Sequence, residues 1–353
     1  MAWDGNLLSA GLAVILRVVY IASQQIELDS QPYTRGTKPM KQHTSLFIIL
    51  QLSLFLLASS LYAQASGDPS QRRNKGTSLK PAIIAEFAAE SFYGMPYRLI
   101  QPLEVKDGVR YPLILNLHGR AGIGDDNVSS LRPWSATFAD PEWRASYPCF
   151  VVTPQSWSSW SAFNERPPEM TPETIAQYSK MWQRFLQAWL SRGGELSTGS
   201  LTMTFLLLDH MAREFPVDTD RVYVLGHSGG GFGSWNAIWT DPERFAAAIP
   251  SAGGLPPWKD PAKFKDVPVW AFHGTDDPIV PFGFSQQIFD RLKEVEGNMK
   301  LTALDGVRHG SSRQAFRYTG DDAEKGWQTY NASDRCDTTE NSWDWLFRQK
   351  RSR

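Results

Sequence analysis

Val222-Tyr223-Val224-Leu225-Gly226-His227-Ser228-Gly229-Gly230 is the stretch on which the fold turns: an apolar strand-like run, a serine flanked by glycines, and the opening of a helix-like run. A serine hydroxyl is a poor nucleophile until its side chain is thrust clear of the sheet on a sharp turn where a base can reach it. Gly226 and Gly230 stand two residues before and two after Ser228, where a strand and a helix approach so closely that a Cβ would collide. A lone G-x-S-x-G also occurs in ordinary turns, so the assignment rests on finding its partners.

In a strand–turn–helix site of this kind the acid and then the histidine follow the serine along the chain. The chain has six histidines. His43 lies in an apolar leader, His118 beside Gly119, His210 in a helical pattern and His227 inside the turn itself, and His273 precedes every acid worth considering after its strand. His309 remains, in the loop Asp305 to Gly310 that follows the strand-like run Lys300 to Leu304. Val267 to Phe272 reads as a buried strand from which His273-Gly274-Thr275-Asp276-Asp277-Pro278 turns away, so the acid is Asp277, with Asp276 as its alternative. All three residues fall at the carboxyl ends of strands, where sites gather in open α/β sheets.

Four stretches together carry a family resemblance: Tyr111-Pro112-Leu113-Ile114-Leu115-Asn116-Leu117-His118-Gly119, the serine turn, His273-Gly274-x-x-Asp277-x-x-Val280-Pro281, and Gly306 to Gly310. The chain resembles secreted α/β-hydrolases of the esterase and predicted-peptidase type, relatives of polyhydroxybutyrate depolymerases and of feruloyl and acetyl-xylan esterases, over roughly Tyr97 to Phe347. The resemblance implies an α/β-hydrolase fold, a mostly parallel central sheet with helices on both faces. It implies a Ser228–His309–Asp277 triad, with the acid at the end of H-G-x-x-D. It also implies an oxyanion hole made by the backbone N–H groups of Gly229 and Arg120. The Arg120 guanidinium either faces water or meets a carboxylate or polar group of the substrate.

Composition agrees with an enzyme of that sort. With 353 residues, 42% of them hydrophobic, the chain can bury one large core. A net charge of −1 gives no basic footprint for nucleic acid. Cys149 and Cys336 do not make a disulfide framework; a single bridge or two buried thiols are the alternatives. Residues 40–65 read as a secretory signal peptide: Met40-Lys41, the apolar run Leu46 to Leu57, then Ala63-Gln64-Ala65 before a cleavage ahead of Ser66. Residues 1–39 then read as an over-extended start, and the mature protein is expected to be secreted or periplasmic, with no membrane contact after cleavage. The alternative takes Leu7 to Ile21 and Leu46 to Leu61 as two short membrane segments. Residues 66–80 read as a polar linker, and 81–350 as a single hydrolase domain.

Within that domain, Ile83 to Phe87 and Met95 to Pro102 are expected to be antiparallel edge strands ahead of Leu113 to Leu117 and Phe150 to Thr153. Leu201 to Phe215 reads as a helix, and so does the stripe Phe284, Ile288, Phe289, Leu292 and Val295. Residues 155–200 exceed the usual strand-to-helix link and are rich in aromatics. Ile175, Met181, Trp182, Phe185 and Trp189 fit one packing face, which leaves Trp157 and Trp160 as candidate walls of a substrate cleft. The polar stretch Arg317 to Asn341 is a second candidate border. The glycines of Gly119 to Gly124 and Gly229 to Gly233 lack a Gly-Lys-Ser/Thr ending, and the acidic pairs lack metal-ligand spacing, so neither a cofactor nor a metal is expected.

The expected activity is serine-dependent cleavage of carboxylic esters through an acyl-enzyme, on small or polymer-derived extracellular substrates. A serine peptidase related to prolyl oligopeptidases, or a non-catalytic binding protein on a hydrolase scaffold, are the alternatives, and the oligomeric state is not legible.

Overall fold

The computed structural model describes residues 75–162, 167–191 and 199–351, all within a compact unit spanning Phe55–Arg353. The 1–39 extension, the 40–65 signal peptide and linker residues 66–74 lie outside the described residues. Linker residues 75–80 do not hang free: Thr77 donates through Oγ1 to the Leu131 carbonyl at 2.6 Å, and Leu79 packs on the core.

Nine strands form one sheet in the order β1-β2-β4-β3-β5-β6-β7-β8-β9. They are β1 Ala88–Phe92, β2 Met95–Ile100, β3 Tyr111–Leu117, β4 Phe150–Pro154, β5 Val217–His227, β6 Ala247–Ser251, β7 Val269–Gly274, β8 Met299–Leu304 and β9 Trp327–Asn331. From β4 across to β8 the pairing is parallel; β1 and β2 at one edge and β9 at the other run antiparallel to their neighbours. β3 lies between β4 and β5, so the chain moves outward in one direction after β3 and in the other after β4. Such a reversal opens a crevice at the carboxyl ends of the strands.

Both faces of the central strands are buried, and alternation along each strand shows it. Leu113, Leu115, Val222 and Val224 belong to one core cluster, and their neighbours Ile114, Tyr223 and Leu225 to another on the opposite face. Strands covered on both faces need apolar residues at every position, hence the unbroken run Val222 to Leu225. Among the described residues four helices exceed ten residues: α1 Lys180–Leu190, α2 Ser200–Glu214, α3 Gly229–Thr240 and α4 Gly283–Glu294. α2, α3 and α4 cover the first face through residues such as Leu207, Trp235 and Ile288. The other face is closed by Phe138, Trp143, Phe316, Trp343 and Trp345.

Two expectations need correction. Pro81–Ala85 is a short helix, with Pro81 at its first turn, where the missing N–H costs nothing. The first edge strand therefore starts at Ala88, after the residues expected to form it. No residue of Arg317 to Asn341 lines the cavity beside Ser228; part of the stretch is β9, whose Trp327 to Asn331 pair with Leu304 to Lys300 and close the sheet edge. Cys149 and Cys336 are both free and buried, and burial pushes the Cys149 thiol pKa up. Among the described residues no helix is long and apolar enough to cross a membrane.

Candidate active site

The turn after β5 is strained in the way a nucleophile elbow requires. Ser228 sits at φ 57°, ψ −117°, outside the conformations a serine ordinarily adopts. Its N–H is held by the Ser251 carbonyl at 2.9 Å and its own carbonyl caps α3 through Phe232 N–H at 2.9 Å. A Cβ on Gly230 would lie 1.9 Å from the Leu117 carbonyl oxygen, and one on Gly226 would lie 2.5 Å from that of Gly230. Both glycines are therefore demanded by the contact of β3, β5 and α3. This is the steric reason expected from their spacing.

The imidazole of His309 lies between Ser228 and Asp277. Nε2 is 2.9 Å from Ser228 Oγ and Nδ1 is 2.7 Å from Asp277 Oδ2. Asp277 is buried, and its other oxygen accepts from the amides of Ile279 and Val280 at 2.8 and 2.9 Å. Burial alone would raise its pKa. The nearby His273 ring, with hydrogen bonds from His309 and the two amides, outweighs that and holds the carboxyl well below the usual range, so it is an anion. With Asp277 ionised, Nδ1 carries the proton and Nε2 is free to accept from the serine. Asp276 is exposed and takes a hydrogen bond from the Thr275 hydroxyl. Its side chain plays no part in the Ser228–His309–Asp277 line.

Three further histidines stabilise this arrangement. His273 Nδ1 lies 2.7 Å from Ser285 Oγ and Nε2 2.8 Å from the Val280 carbonyl, fixing the turn that carries Asp277. A Cβ on the next residue, Gly274, would lie 2.0 Å from the Val307 carbonyl oxygen, so the glycine lets the His309 loop close over β7. His227 is buried under His309, ring centroids 4.9 Å apart, with Nδ1 3.3 Å from Ser251 Oγ, which in turn contacts Ser311 Oγ at 2.8 Å. Burial, reinforced by the neighbouring His309, pushes its pKa down to about 3 and keeps it neutral.

His118 supports the opposite side of the serine. Its Nε2 accepts from Ser156 N–H at 2.9 Å while Nδ1 lies 2.8 Å from the Gly119 carbonyl, so the proton resides on Nδ1. Burial lowers its pKa to about 4. The His118 carbonyl accepts from the Trp160 indole at 2.9 Å, and the Gln155 amide donates to Gly122 O at 3.1 Å and to Asp126 Oδ1 at 2.9 Å. The loop so fixed brings Arg120 against the elbow: a Cβ on Gly229 would be only 3.1 Å from Arg120 N. Gly229 opens α3 and Arg120 opens the turn Arg120–Gly122, and the first amides of a helical turn have no partner within it. Two such amides, one directly after Ser228 in the chain and the other close to Gly229, suit a developing oxyanion.

A cavity of about 880 Å³ opens beside Ser228. Met181, Trp182, Phe185 and Trp189 of α1 line it, facing Phe232 and Trp258. Trp182 stacks on Phe284 at 4.1 Å and Phe185 on Phe232 at 5.3 Å. The residues expected only to pack thus pack and line at once. Trp160 lines the cavity as a buried floor residue, but Trp157 is not among the lining side chains and instead packs against the main core. Phe232 was overlooked, though its place four residues after Ser228, one turn into α3, is a usable signal. Trp258 and Ile279 carried none. Among the described residues no three His, Cys, Asp or Glu side chains converge on a point suited to a metal ion.

The sheet order, the elbow at the end of β5 and the acid and histidine after β7 and β8 settle the architecture. The chain has an α/β-hydrolase fold. Residues 146–321 match the family described as Phospholipase/Carboxylesterase. The solved structure of a thermostable esterase shares this α/β-hydrolase fold, with 30% identity and a TM-score of 0.57, over 76% of this chain and 64% of that one. A bifunctional acetylxylan esterase/xylanase of Neocallimastix patriciarum is 32% identical over 87 residues, 25% of this chain and 12% of the relative. The chain thus spans less than two thirds of the length of either.

Proposed function

We propose that this protein hydrolyses carboxylic esters through an acyl-enzyme on Ser228. The observation that carries the proposal is the continuous hydrogen-bonded line from Asp277 through His309 to Ser228 Oγ, ending between the Arg120 and Gly229 amides and an apolar cavity. His309 Nε2 takes the hydroxyl proton as Oγ attacks the acyl carbon, and the carbonyl oxygen becomes an anion facing the two amides. His309 then protonates the departing alcohol. Water, deprotonated by the same nitrogen, releases the acid and restores Ser228. Asp277 stays ionised throughout and stabilises the imidazolium. Loss of one oxyanion donor in such a site typically costs about 3 kcal/mol.

The apolar cavity suits an ester with a large aromatic or aliphatic group. The order of charge, apolar run and Ala63-Gln64-Ala65 supports export, with the mature chain starting at Ser66. N-terminal sequencing of the mature protein checks this, and a start upstream of Met40 would refute it. A fluorophosphonate probe is expected to label Ser228 in wild type and not in Ser228→Ala, with p-nitrophenyl ester hydrolysis lost in parallel. Folded protein that neither labels nor hydrolyses any ester would make the scaffold a binding protein.

A further inference from the structure

Among the described residues lining the aromatic cavity, the charged side chains are of one sign. Arg120 and Arg184 are among its lining residues, and among the described lining residues there is no aspartate or glutamate. Neither arginine has a carboxylate partner among the described residues, whereas Arg144, Arg221, Arg244 and Arg291 are each paired within 3.0 Å. Two guanidiniums without a carboxylate partner among the described residues, beside low-dielectric aromatic walls, make a positive focus in the cleft.

Their placement is not that of two arbitrary surface arginines. On α1, Phe185 and Trp189 are four residues apart and form one row along the wall, while Arg184 and Ala188 form the adjacent row, and all four line the cavity. Arg184 thus sits along one side of the Phe185–Trp189 strip. Arg120 approaches the same strip from the opposite loop, its guanidinium carbon 5.5 Å from the centre of the Trp189 ring. A guanidinium held near a ring face keeps N–H donors for a second partner, and the ring attracts it without neutralising it. A planar fork of that kind matches a carboxylate. Arg120 is also the residue whose backbone N–H stands beside Gly229, so its side chain ends within one arginine length of the reacting carbonyl.

We propose that Arg120 and Arg184 form a carboxylate subsite, and that the preferred substrates are esters combining an aromatic or long apolar body with a free carboxylate. The apolar part fills the strip of Phe185, Trp189 and Phe232; the carboxylate takes the two guanidiniums; positively charged esters are disfavoured. This rests on the ester-hydrolase function proposed above, and the test separates the two.

Binding is measured first, without turnover, using 6-hydroxy-2-naphthoate and its carboxamide as probes of the full-length protein by calorimetry. The carboxylate is expected to bind about tenfold more tightly than the carboxamide, one good charge-assisted contact. That preference is expected to disappear in Arg184→Gln, to reverse in Arg184→Glu, and to weaken between about 0.05 and 0.5 M salt as screening sets in. Turnover is then compared for 6-carboxy-2-naphthyl acetate against its carboxamide and for the half-acid 2-naphthyl adipate against its carboxamide. The ratio of kcat/KM, anionic over neutral, is expected to fall about tenfold in Arg184→Gln and in Arg120→Gln, the latter keeping the backbone amide in place. Equal affinity for the two probes in wild type, or a preference untouched by both substitutions, overturns the subsite. Intact carboxylate-selective binding with no ester cleaved and no fluorophosphonate label on Ser228 overturns the hydrolase function and leaves the subsite standing.

Discussion

The floor and the wall of the cleft are built on different physics. The floor, from Leu117 to Gly122 and from Gly226 to Gly230, is backbone held by backbone and by buried polar groups. His118, Gln155 and Trp160 bond the loop, and glycines permit contacts that no other residue could make. The wall, α1 with Phe232 and Trp258, is held by ring stacking and partly faces the cavity. Hydrogen bonds and steric exclusion fix atoms to a few tenths of an ångström, which charge development in a transition state needs. Stacked rings tolerate exchange of one apolar group for another. Chemistry should thus be brittle at the floor and selectivity adjustable at the wall.

The sharpest break is expected from Ser228→Ala, which should lower kcat by about four to six orders of magnitude with the fold intact. Circular dichroism and ester turnover together check it, and a fall below about tenfold would remove Ser228 as the nucleophile.

Asp277→Asn follows, with a loss of about four orders because His309 loses the partner that fixes its tautomer. The same variant reads the electrostatics. The Asp277 pKa is depressed in the fold, so its stabilisation is complete above the unfolded value of about 3.9 and fades as pH falls through the lower folded value. The gap in Tm between wild type and Asp277→Asn should therefore be constant above about pH 5 and narrow in acid. A gap that widens in acid would reverse the assignment.

Trp160→Phe keeps the ring but strips the donor from the buried His118 carbonyl, at a cost of about 1–3 kcal/mol. If the floor is as rigid as its bonding indicates, kcat should drop about tenfold or more while KM moves little. A change confined to KM would put Trp160 with the wall. The smallest effect is expected from Phe185→Ala: KM for naphthyl esters should rise several-fold, about 1 kcal/mol, with acetate esters of small alcohols nearly unaffected. Equal losses on both substrates would erase the distinction between floor and wall.

The floor was the more legible half, for the same reason. Positions that exclude every side chain but hydrogen must be glycine, so Gly226, Gly230 and Gly274 stand in the sequence as fixed marks around Ser228, Asp277 and His309. The strands between them read correctly because burial on both faces demands unbroken apolar runs. The Ile83 to Phe87 segment misled because its apolar residues suit a strand, a helix or a docked turn equally, and Pro81 settled the matter. Only the family's H-G-x-x-D pattern favours Asp277 over Asp276 in the sequence; what separates them physically is that one is exposed and the other meets two amides and two imidazoles. The wall was least legible. Trp157 and Trp182 are both large apolar residues of one insertion, and nothing in their spacing says which of them reaches the cavity.

By itself, then, the sequence determined the layer architecture and the turns that carry Ser228 and His309, because these depend on local rules of apolar periodicity and steric exclusion. Only the tertiary structure decided that Asp277 faces His309, that His118 and His227 are neutral supports, and that α1 turns its aromatic strip and Arg184 toward the cavity beside Ser228, opposite Arg120. Those facts depend on distances between segments far apart in the chain, and such distances are set by packing.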